Sequence, residues 1–391
     1  MNILFIGVNQ RYINATNYHY PSILNRIGNL TCYGPGFVNE DDIQKGIDHF
    51  LKLKAKPDII LITAQCVVNK NAFDFNKSLE RYTYVFNSGK VTSNFLVDID
   101  GFCKNYKSRV ICLITDIDPH VTPQYMIDHL IANGSYFIGW GNGFLNAQDD
   151  INSLLNEEYV QQKVKRGFQI GLLDSFVTKN ADRMINLGHF VADHEFYWSD
   201  LSSRKYDVSV PGSSYSRRKD TFNLINKSNN ISISKNKTKY ILKIMDRLGI
   251  KTYSNFYLVN LYNFLFQMEL SSAKICITEG GGNNYPVRKF FEIPASGSLL
   301  ACWPAIGLEN LGYKHNVNCV YLNSSEDILN LILDVKNNVS KYQLIAGLGR
   351  KHTLDHHSAT ARSNQLRESF EKILSNNFYG SYWENGVYKL I

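Results

Sequence analysis

Short apolar runs in which apolar and polar residues do not alternate recur along this sequence. They constrain its fold more than any other feature. In the first half they lie at residues 2–8 (NILFIGV), 57–64 (PDIILITA), 109–116 (RVICLITD) and 135–141 (SYFIGWG). A uniformly apolar strand has to be covered on both faces, which is typical of a parallel sheet between layers of helices. Residues 40–56 carry apolar side chains at helical spacing and predict a helix with one buried stripe. The pattern predicts β-α-β repeats and an α/β fold.

A second series of such runs follows in the other half of the chain. Its members lie at residues 205–214 (KYDVSVPGSS), 273–282 (AKICITEGGG), 297–303 (GSLLACW) and 318–323 (NCVYLN). After the last run, Ser324 or Ser325 can cap a helix whose apolar face includes Ile328 and Ile332. The two halves therefore predict two doubly wound domains of similar build.

Polar and aromatic residues interrupt the pattern at 195–206, where we expect the domain boundary. The prediction is an N-terminal domain of residues 1–200, onto which residues 366–391 pack back, and a C-terminal domain of residues 201–365. Residues 226–239, rich in Asn, Lys and Ser, predict an exposed loop within the second domain.

Composition bounds the class of protein. In 391 residues, a hydrophobic share of 44% and an aromatic share of 13% favour packed cores over disorder. The seven cysteines include no Cys-x-x-Cys pair, which is typical of a reducing compartment and predicts neither a disulfide framework nor a zinc cluster. No basic leader and no window of membrane-spanning length is seen, so we expect a cytoplasmic chain without a transmembrane segment.

The net charge of +7 suits an anionic partner. A nucleotide diphosphate, a phospholipid surface contacted peripherally and a nucleic acid all fit this charge, as does a basic solvated surface without a partner.

The stretch EGGGNNYPVRKFFEIPASG, at residues 279–297, concentrates residue types suited to anion binding. A predicted strand ends at Glu279 and is followed by three glycines, and Pro286 is expected to begin a helix. A glycine turn that leads into a helix N-terminus presents backbone N–H groups and the positive end of the helix dipole, which favour a phosphate. The three glycines are Gly280, Gly281 and Gly282.

Arg288 and Glu292 lie four residues apart and share a face of the predicted helix. The guanidinium can hold a phosphate while the carboxylate accepts hydrogen bonds from ribose hydroxyls. The alternative is a surface ion pair on an amphipathic helix beside a merely flexible turn.

These residues resemble those of CgeB-type glycosyltransferases, named for a spore maturation protein and related to glycosyltransferase family 4. The resemblance covers about residues 205–365 and is carried by three segments: 287–302 with 306–332, 206–218 (YDVSVPGSSYSRR) and 352–362 (HTLDHHSATAR). Weaker likenesses lie at 113–120 and 187–196.

The resemblance implies a GT-B fold, in which two Rossmann-like domains with parallel sheets face a central cleft. It implies transfer of a sugar from a nucleotide diphosphate donor, with a UDP-sugar favoured, to a hydroxyl of a glycan, a lipid-linked acceptor or a modified nucleic acid. Glu292 would bind the donor ribose, Arg288 would lie near the diphosphate, and a second group would line the other side of the phosphates: Gly212, Ser213 and Arg218. Asn284 stands where family 4 enzymes often have a glutamate. No tightly bound cofactor and no metal is implied.

The segment TDIDPH places Asp116, Asp118 and His120 at the end of a predicted strand, where α/β sheets usually present ligands. The two carboxylates could hold a divalent cation, but a base that deprotonates the acceptor in an inverting transfer is favoured over a metal site. Capping of a following helix is an equal alternative.

Two further functions stay open at the level of sequence. A nucleotide-sugar epimerase would use the same fold and phosphate turn, and would convert its donor without an acceptor. A non-enzymatic protein that binds anionic polymers would show steeply salt-dependent binding.

Overall fold

The computed structural model describes most of the chain. The described residues are 1–9, 16–68, 89–115, 121–141, 143–144, 161, 164–165, 169–193, 198–212, 217–228, 230–234, 240–241, 244–245, 247–250, 255–280 and 284–391.

The first half contains a parallel six-stranded sheet. The strands of this sheet are β1 (Asn2–Ile6), β2 (Asn29–Tyr33), β3 (Ile59–Thr63), β4 (Val110–Leu113), β6 (Tyr136–Gly139) and β8 (Met184–Asn186). A separate short pair is formed by β5 (Val121–Thr122) and β7 (Gln169–Ile170). The sheet order is β2-β1-β3-β4-β6-β8, and β5 pairs with β7 antiparallel. All four apolar runs predicted as strands lie in this sheet, and β3 and β4 are buried along their whole length. The predicted parallel sheet is confirmed.

Helices connect these strands. They are α1 (Thr16–Leu24), α2 (Glu40–Lys45), α3 (Ile47–Leu51), α4 (Ala64–Val68), α5 (Gly89–Asn105), α6 (Gln124–Asn133) and α7 (Leu172–Lys179). The single helix predicted over 40–56 is wrong, because Gly46 at φ +88° separates α2 from α3. The backbone N–H of Ile47, at the start of α3, donates to Asp98 Oδ2 at 2.7 Å, so this N–H is satisfied despite the break between the helices.

The second half repeats the design with a five-stranded parallel sheet in the order β10-β9-β11-β12-β13. Its strands are β9 (Tyr206–Ser209), β10 (Ile233–Ser234), β11 (Ala273–Thr278), β12 (Leu299–Cys302) and β13 (Val320–Tyr321). Its helices, and those that follow it, are α8 (Arg217–Asn226), α9 (Phe256–Ser272), α10 (Lys289–Ala295), α11 (Ser325–Asn337), α12 (Val339–His357) and α13 (Ala359–Leu374). Ser324 caps α11 in a capping box with Asp327, as predicted.

In both sheets the chain runs to one side of the first strand and then returns to the other side. The reversal falls between β1 and β3 in the first sheet and between β9 and β11 in the second. Ligands of doubly wound proteins bind outside the carboxyl ends of the strands at this switch point. The fold therefore marks the ends of β9 and β11 as the place to look for a site.

The C-terminal segment contacts elements of the first half. The Arg367 guanidinium on α13 donates to the carbonyl of Arg26, which follows α1, at 2.6 Å. The hairpin formed by β14 (Ser381–Glu384) and β15 (Val387–Leu390) docks on β8. There the N–H of Asn186 donates to Ser381 Oγ at 2.7 Å, and its carbonyl accepts from Trp383 Nε1 at 2.7 Å. The boundaries of the two domains remain a prediction.

Two hydrophobic clusters form the core. One contains Phe5, Ile62 and Phe137 of the first half and continues into the second half through Phe291 and Tyr313. The other covers the opposite face of the second sheet and includes Val208, Ile275, Leu299 and Ile332. No helix among the described residues is both long and apolar enough to cross a bilayer.

Replacing Trp383 by alanine is expected to lower the free energy of unfolding by about 3–5 kcal/mol. The indole is buried, donates to Asn186 and lies 4.8 Å, centroid to centroid, from the His357 ring. Urea unfolding followed by circular dichroism measures the loss. Tyr382→Ala is the matched control, because this neighbouring side chain is exposed. An equal effect of both substitutions would show that the hairpin does not depend on the buried indole.

Candidate functional site

The glycine turn after β9 lies at the switch point of the second sheet. Gly212 has φ +92°, and a Cβ atom on it would lie 2.3 Å from Lys289 Cε. A side chain at this position would be strained by the backbone conformation and would have to displace the end of the Lys289 side chain. The same Cβ position is 3.0 Å from Lys289 Nζ and 3.2 Å from Arg218 Nη1. Two cations thus converge on a turn whose backbone conformation favours glycine.

Both cations are buried. Burial lowers the pKa of the Lys289 ammonium; Glu292 partly offsets this, while Arg218 and Arg288 lower it further. A buried ammonium beside two guanidinium groups is favourable for an anionic ligand, because added negative charge would relieve the repulsion. This arrangement is suited to bind phosphate.

The end of β11 supplies a carboxylate that holds Arg218 in place. The Glu279 Oε1 atom accepts the backbone N–H of Arg218 at 3.2 Å and lies 3.9 Å from its Nε. Burial raises the pKa of this carboxyl, against the opposing effect of Arg218. Gly280 follows directly, and a Cβ atom on it would lie 2.7 Å from the carbonyl carbon of Asn284, so these two residues pack closely.

Arg288 and Glu292 form a buried ion pair, with Nη1 and Oε1 3.2 Å apart. The alternative of a surface ion pair is therefore wrong. The Arg288 Nε–H also donates to the carbonyl of Phe190 at 3.2 Å, so this side chain links α10 to the loop after β8. Removing one partner of such a pair leaves an uncompensated buried charge, which is strongly destabilising.

The predicted start of the helix at Pro286 is wrong. Helix α10 begins at Lys289 and has seven residues, and its first acceptor carbonyls are those of Val287 and Arg288. Asn284, exposed and at φ +44°, turns the chain before it, and its carbonyl accepts from the N–H of Ile306 at 2.8 Å. The site therefore relies on side-chain cations more than on a long helix dipole.

The loop after β8 brings the first half against this site. The ring of His189 is buried and stacks on Tyr285, with centroids 6.5 Å apart. Burial, with Arg288 and Arg362 nearby, lowers the pKa of His189 to about 3, so the imidazole is neutral near physiological pH. Arg362 donates to the carbonyl of His189 at 3.0 Å.

The structure brings together the described members of the predicted donor site at one end of the second sheet: Gly212, Arg218, Gly280, Asn284, Arg288 and Glu292. The other predicted residues lie outside the described part of the chain: Asp116, Asp118, His120, Ser213, Gly281 and Gly282. Their roles remain predictions.

Two residues of the site were missed by sequence reasoning. Lys289 follows Arg288 directly, but its burial and its approach to Gly212 depend on distant segments and are not visible in the local pattern. Glu269, near the end of α9, is buried, and its Oε1 accepts from Ser209 Oγ at 3.0 Å. Burial raises the pKa of Glu269 to about 7, with Ser209 and Lys289 acting in the opposite direction.

The histidines near the C-terminal end of α12 take part in packing. The Nε2 atoms of His352 and His357 lie 2.7 and 3.0 Å from the Leu311 carbonyl oxygen. The His357 ring is buried and stacks on Tyr313, with centroids 5.8 Å apart. Among the described residues, no group of three or more His, Cys, Asp or Glu side chains is arranged to hold a metal ion.

No model of a protein family and no curated protein matches this chain in sequence. Solved structures match it in fold. An α-glucosyltransferase in complex with UDP-glucose and DNA containing an abasic site matches with a TM-score of 0.54 at 11% identity, over 95% of this chain and 99% of its own. A glycosyltransferase from Rickettsia africae matches with 0.50 at 11% identity, over 96% and 99%. Anabaena HepE, solved with UDP and glucose, gives 0.47 at 13% identity, over 95% and 100%. With its two parallel sheets, the chain has the GT-B fold.

Stability is expected to depend on pH through Glu269. Between its usual pKa of 4.5 and the folded value of about 7, the unfolded chain has lost a proton that the folded chain still holds. The free energy of unfolding should therefore fall by about 3 kcal/mol as pH rises through this window.

Glu269→Gln removes the titrating group and should flatten the decline. Urea unfolding of both proteins across this pH range measures the difference. Glu371→Gln, which changes an exposed carboxylate, should keep the wild-type profile. Parallel profiles for wild type and Glu269→Gln would contradict the shifted pKa.

Proposed function

We propose that the chain is a glycosyltransferase that uses a nucleotide diphosphate sugar, with a UDP-sugar as the favoured donor. The observation that carries this proposal is the convergence of Lys289 and Arg218 on Gly212 at the switch point of the second sheet. Glycine lets a phosphate approach the backbone, and the two cations supply the positive charge that a diphosphate needs. The CgeB-like pattern of residues supports the same assignment.

The geometry suggests a division of work within the donor site. Lys289 and Arg218 would neutralise the diphosphate as the bond between the anomeric carbon and the phosphate oxygen breaks and the electron pair passes to that oxygen. The Glu292 carboxylate would accept hydrogen bonds from the ribose, held in orientation by Arg288 at 3.2 Å. This modifies the prediction from sequence, in which Arg288 was the phosphate ligand.

The identity of the base in the donor rests on likeness of fold. The α-glucosyltransferase that matches this chain was solved with UDP-glucose. Uridine is therefore the base to test first. In an inverting transfer the proton of the acceptor hydroxyl passes to a base, and Asp116, Asp118 and His120 remain the candidates for it. The acceptor stays among the three classes that the sequence suggests.

UDP is expected to stabilise the folded chain by about 2.7 kcal/mol when it is present at about 100 times its Kd. Lys289→Met should weaken UDP binding by about 10- to 100-fold, because it removes a charge-assisted hydrogen bond to phosphate. Thermal unfolding over a range of UDP concentrations measures both effects.

Two controls make this experiment specific. Uridine lacks the diphosphate, so its effect should be the same in wild type and in Lys289→Met. Lys351→Met removes an exposed lysine of α12 and should leave UDP binding unchanged. A wild-type response of Lys289→Met to UDP would refute the phosphate assignment.

With a UDP-sugar and no acceptor, the enzyme is expected to release UDP and free sugar slowly. Glu292→Gln should lower this rate by about tenfold or more, since it weakens a hydrogen bond to a charged acceptor. Chromatography of the nucleotide products measures both outcomes. Conversion to an epimeric nucleotide sugar without release of UDP would instead identify an epimerase.

A further inference from the structure

The outer face of α9 carries an exposed apolar stripe. Leu261, Phe264 and Met268 are 46, 48 and 52% exposed, and their spacing places them on one side of the helix. The opposite side, with Val259, Phe266 and Leu270, is buried in the protein. A surface helix normally turns its apolar side chains to the core and polar ones outward. Here, large apolar side chains also lie on the outer side.

The chain segment before α9 shows a second stripe. Tyr240, Ile244 and Leu248 recur every four residues and are 66, 55 and 67% exposed. Residues 240 and 244 are helical, and 248 lies in the turn that follows. Only residues 249–255 separate this stripe from α9. Exposed apolar surface of this extent marks a site of interaction.

Basic residues accompany the second stripe. Lys239, Lys243 and Arg247 each precede one of its members, and Lys251 continues the same spacing. Residues 227–251 hold seven basic residues and one acidic residue, in a chain whose net charge is only +7. Basic residues are thus concentrated in the stretch of sequence that contains Tyr240, Ile244 and Leu248.

We propose that these two stripes dock the chain on an anionic phospholipid bilayer. Aliphatic and aromatic side chains can enter the interface between headgroups and acyl chains, and lysine and arginine can bind the lipid phosphates. A second copy of the chain would bring like charges together. A nucleic acid would use the cations but would leave Ile244, Leu248 and Leu261 exposed.

The proposal goes beyond the donor site and does not rest on it. Glu269, which lies close to Lys289, is on the buried side of α9, and the exposed stripe points away from it. The exposed side chains of α9 and the side chain that acts on Lys289 therefore lie on different sides of this helix.

Flotation of the full chain with lipid vesicles tests the proposal. The chain should float with vesicles that contain phosphatidylglycerol, float less at high salt, and stay behind with vesicles of phosphatidylcholine alone. The double variant Leu261→Ser and Phe264→Ser should weaken vesicle binding by about tenfold or more. Leu344→Ser is the matched control, because Leu344 is 71% exposed on α12, outside the proposed surface.

The thermal response to UDP is measured on the same proteins and should be identical in all of them. Failure of the docking proposal is thereby distinguished from failure of the proposed function. Equal flotation of the double variant and wild type would overturn the proposal, and so would equal binding to neutral vesicles. Self-association that the double variant abolishes would identify a second copy as the occupant. Salt-sensitive binding to DNA without vesicle binding would identify a nucleic acid.

Discussion

The candidate site depends on the balance of buried charges around the switch point of the second sheet. Burial opposes the charged form of each group there, and each is held by a neighbour of opposite sign. Glu279 contacts Arg218, Glu292 contacts Arg288, and Glu269 acts on Lys289 through its charge. Such pairs organise the site before a ligand binds. A diphosphate would then enter a place where the positive charges are already in position, at no cost of reorganisation.

The position of the first half relative to the site depends on the loop after β8. Two arginines of the second half form hydrogen bonds with this loop. Arg288 donates to the carbonyl of Phe190, and Arg362 donates to that of His189. Ser358 lies between α12 and α13. Its backbone is extended and forms a β-bridge with Val191 of this loop. The C-terminal segment thus helps to place the first half against the candidate site, and the Trp383 hairpin anchors its end.

Much of the fold could be predicted because strand formation in a parallel sheet depends on local pattern. Each of the predicted runs contains a strand of one of the two parallel sheets, and most of these strand residues are buried, because a largely apolar strand is stable only when both faces are covered. Helix bounds were less predictable. Gly46 divided one predicted helix because a positive φ cannot continue a helix, and Asn284, at φ +44°, turns the chain before α10, which begins only at Lys289. In the site, Arg288 and Glu292 were expected to lie together, but their burial and the role of Lys289 were not visible in the sequence.

The sequence by itself determined the class of fold, the repeated β-α-β order and the glycine, arginine and glutamate cluster, because these follow from residue types and spacings along the chain. The tertiary structure decided which charges meet. Gly212 and Arg218 follow β9, whereas Lys289 follows β11 and is distant from them in the chain. They converge because β9 and β11 are neighbours in the sheet although β10 lies between them in sequence. The order of the strands in the sheet and the burial of the ion pairs depend on contacts between distant segments. No local pattern contains these contacts.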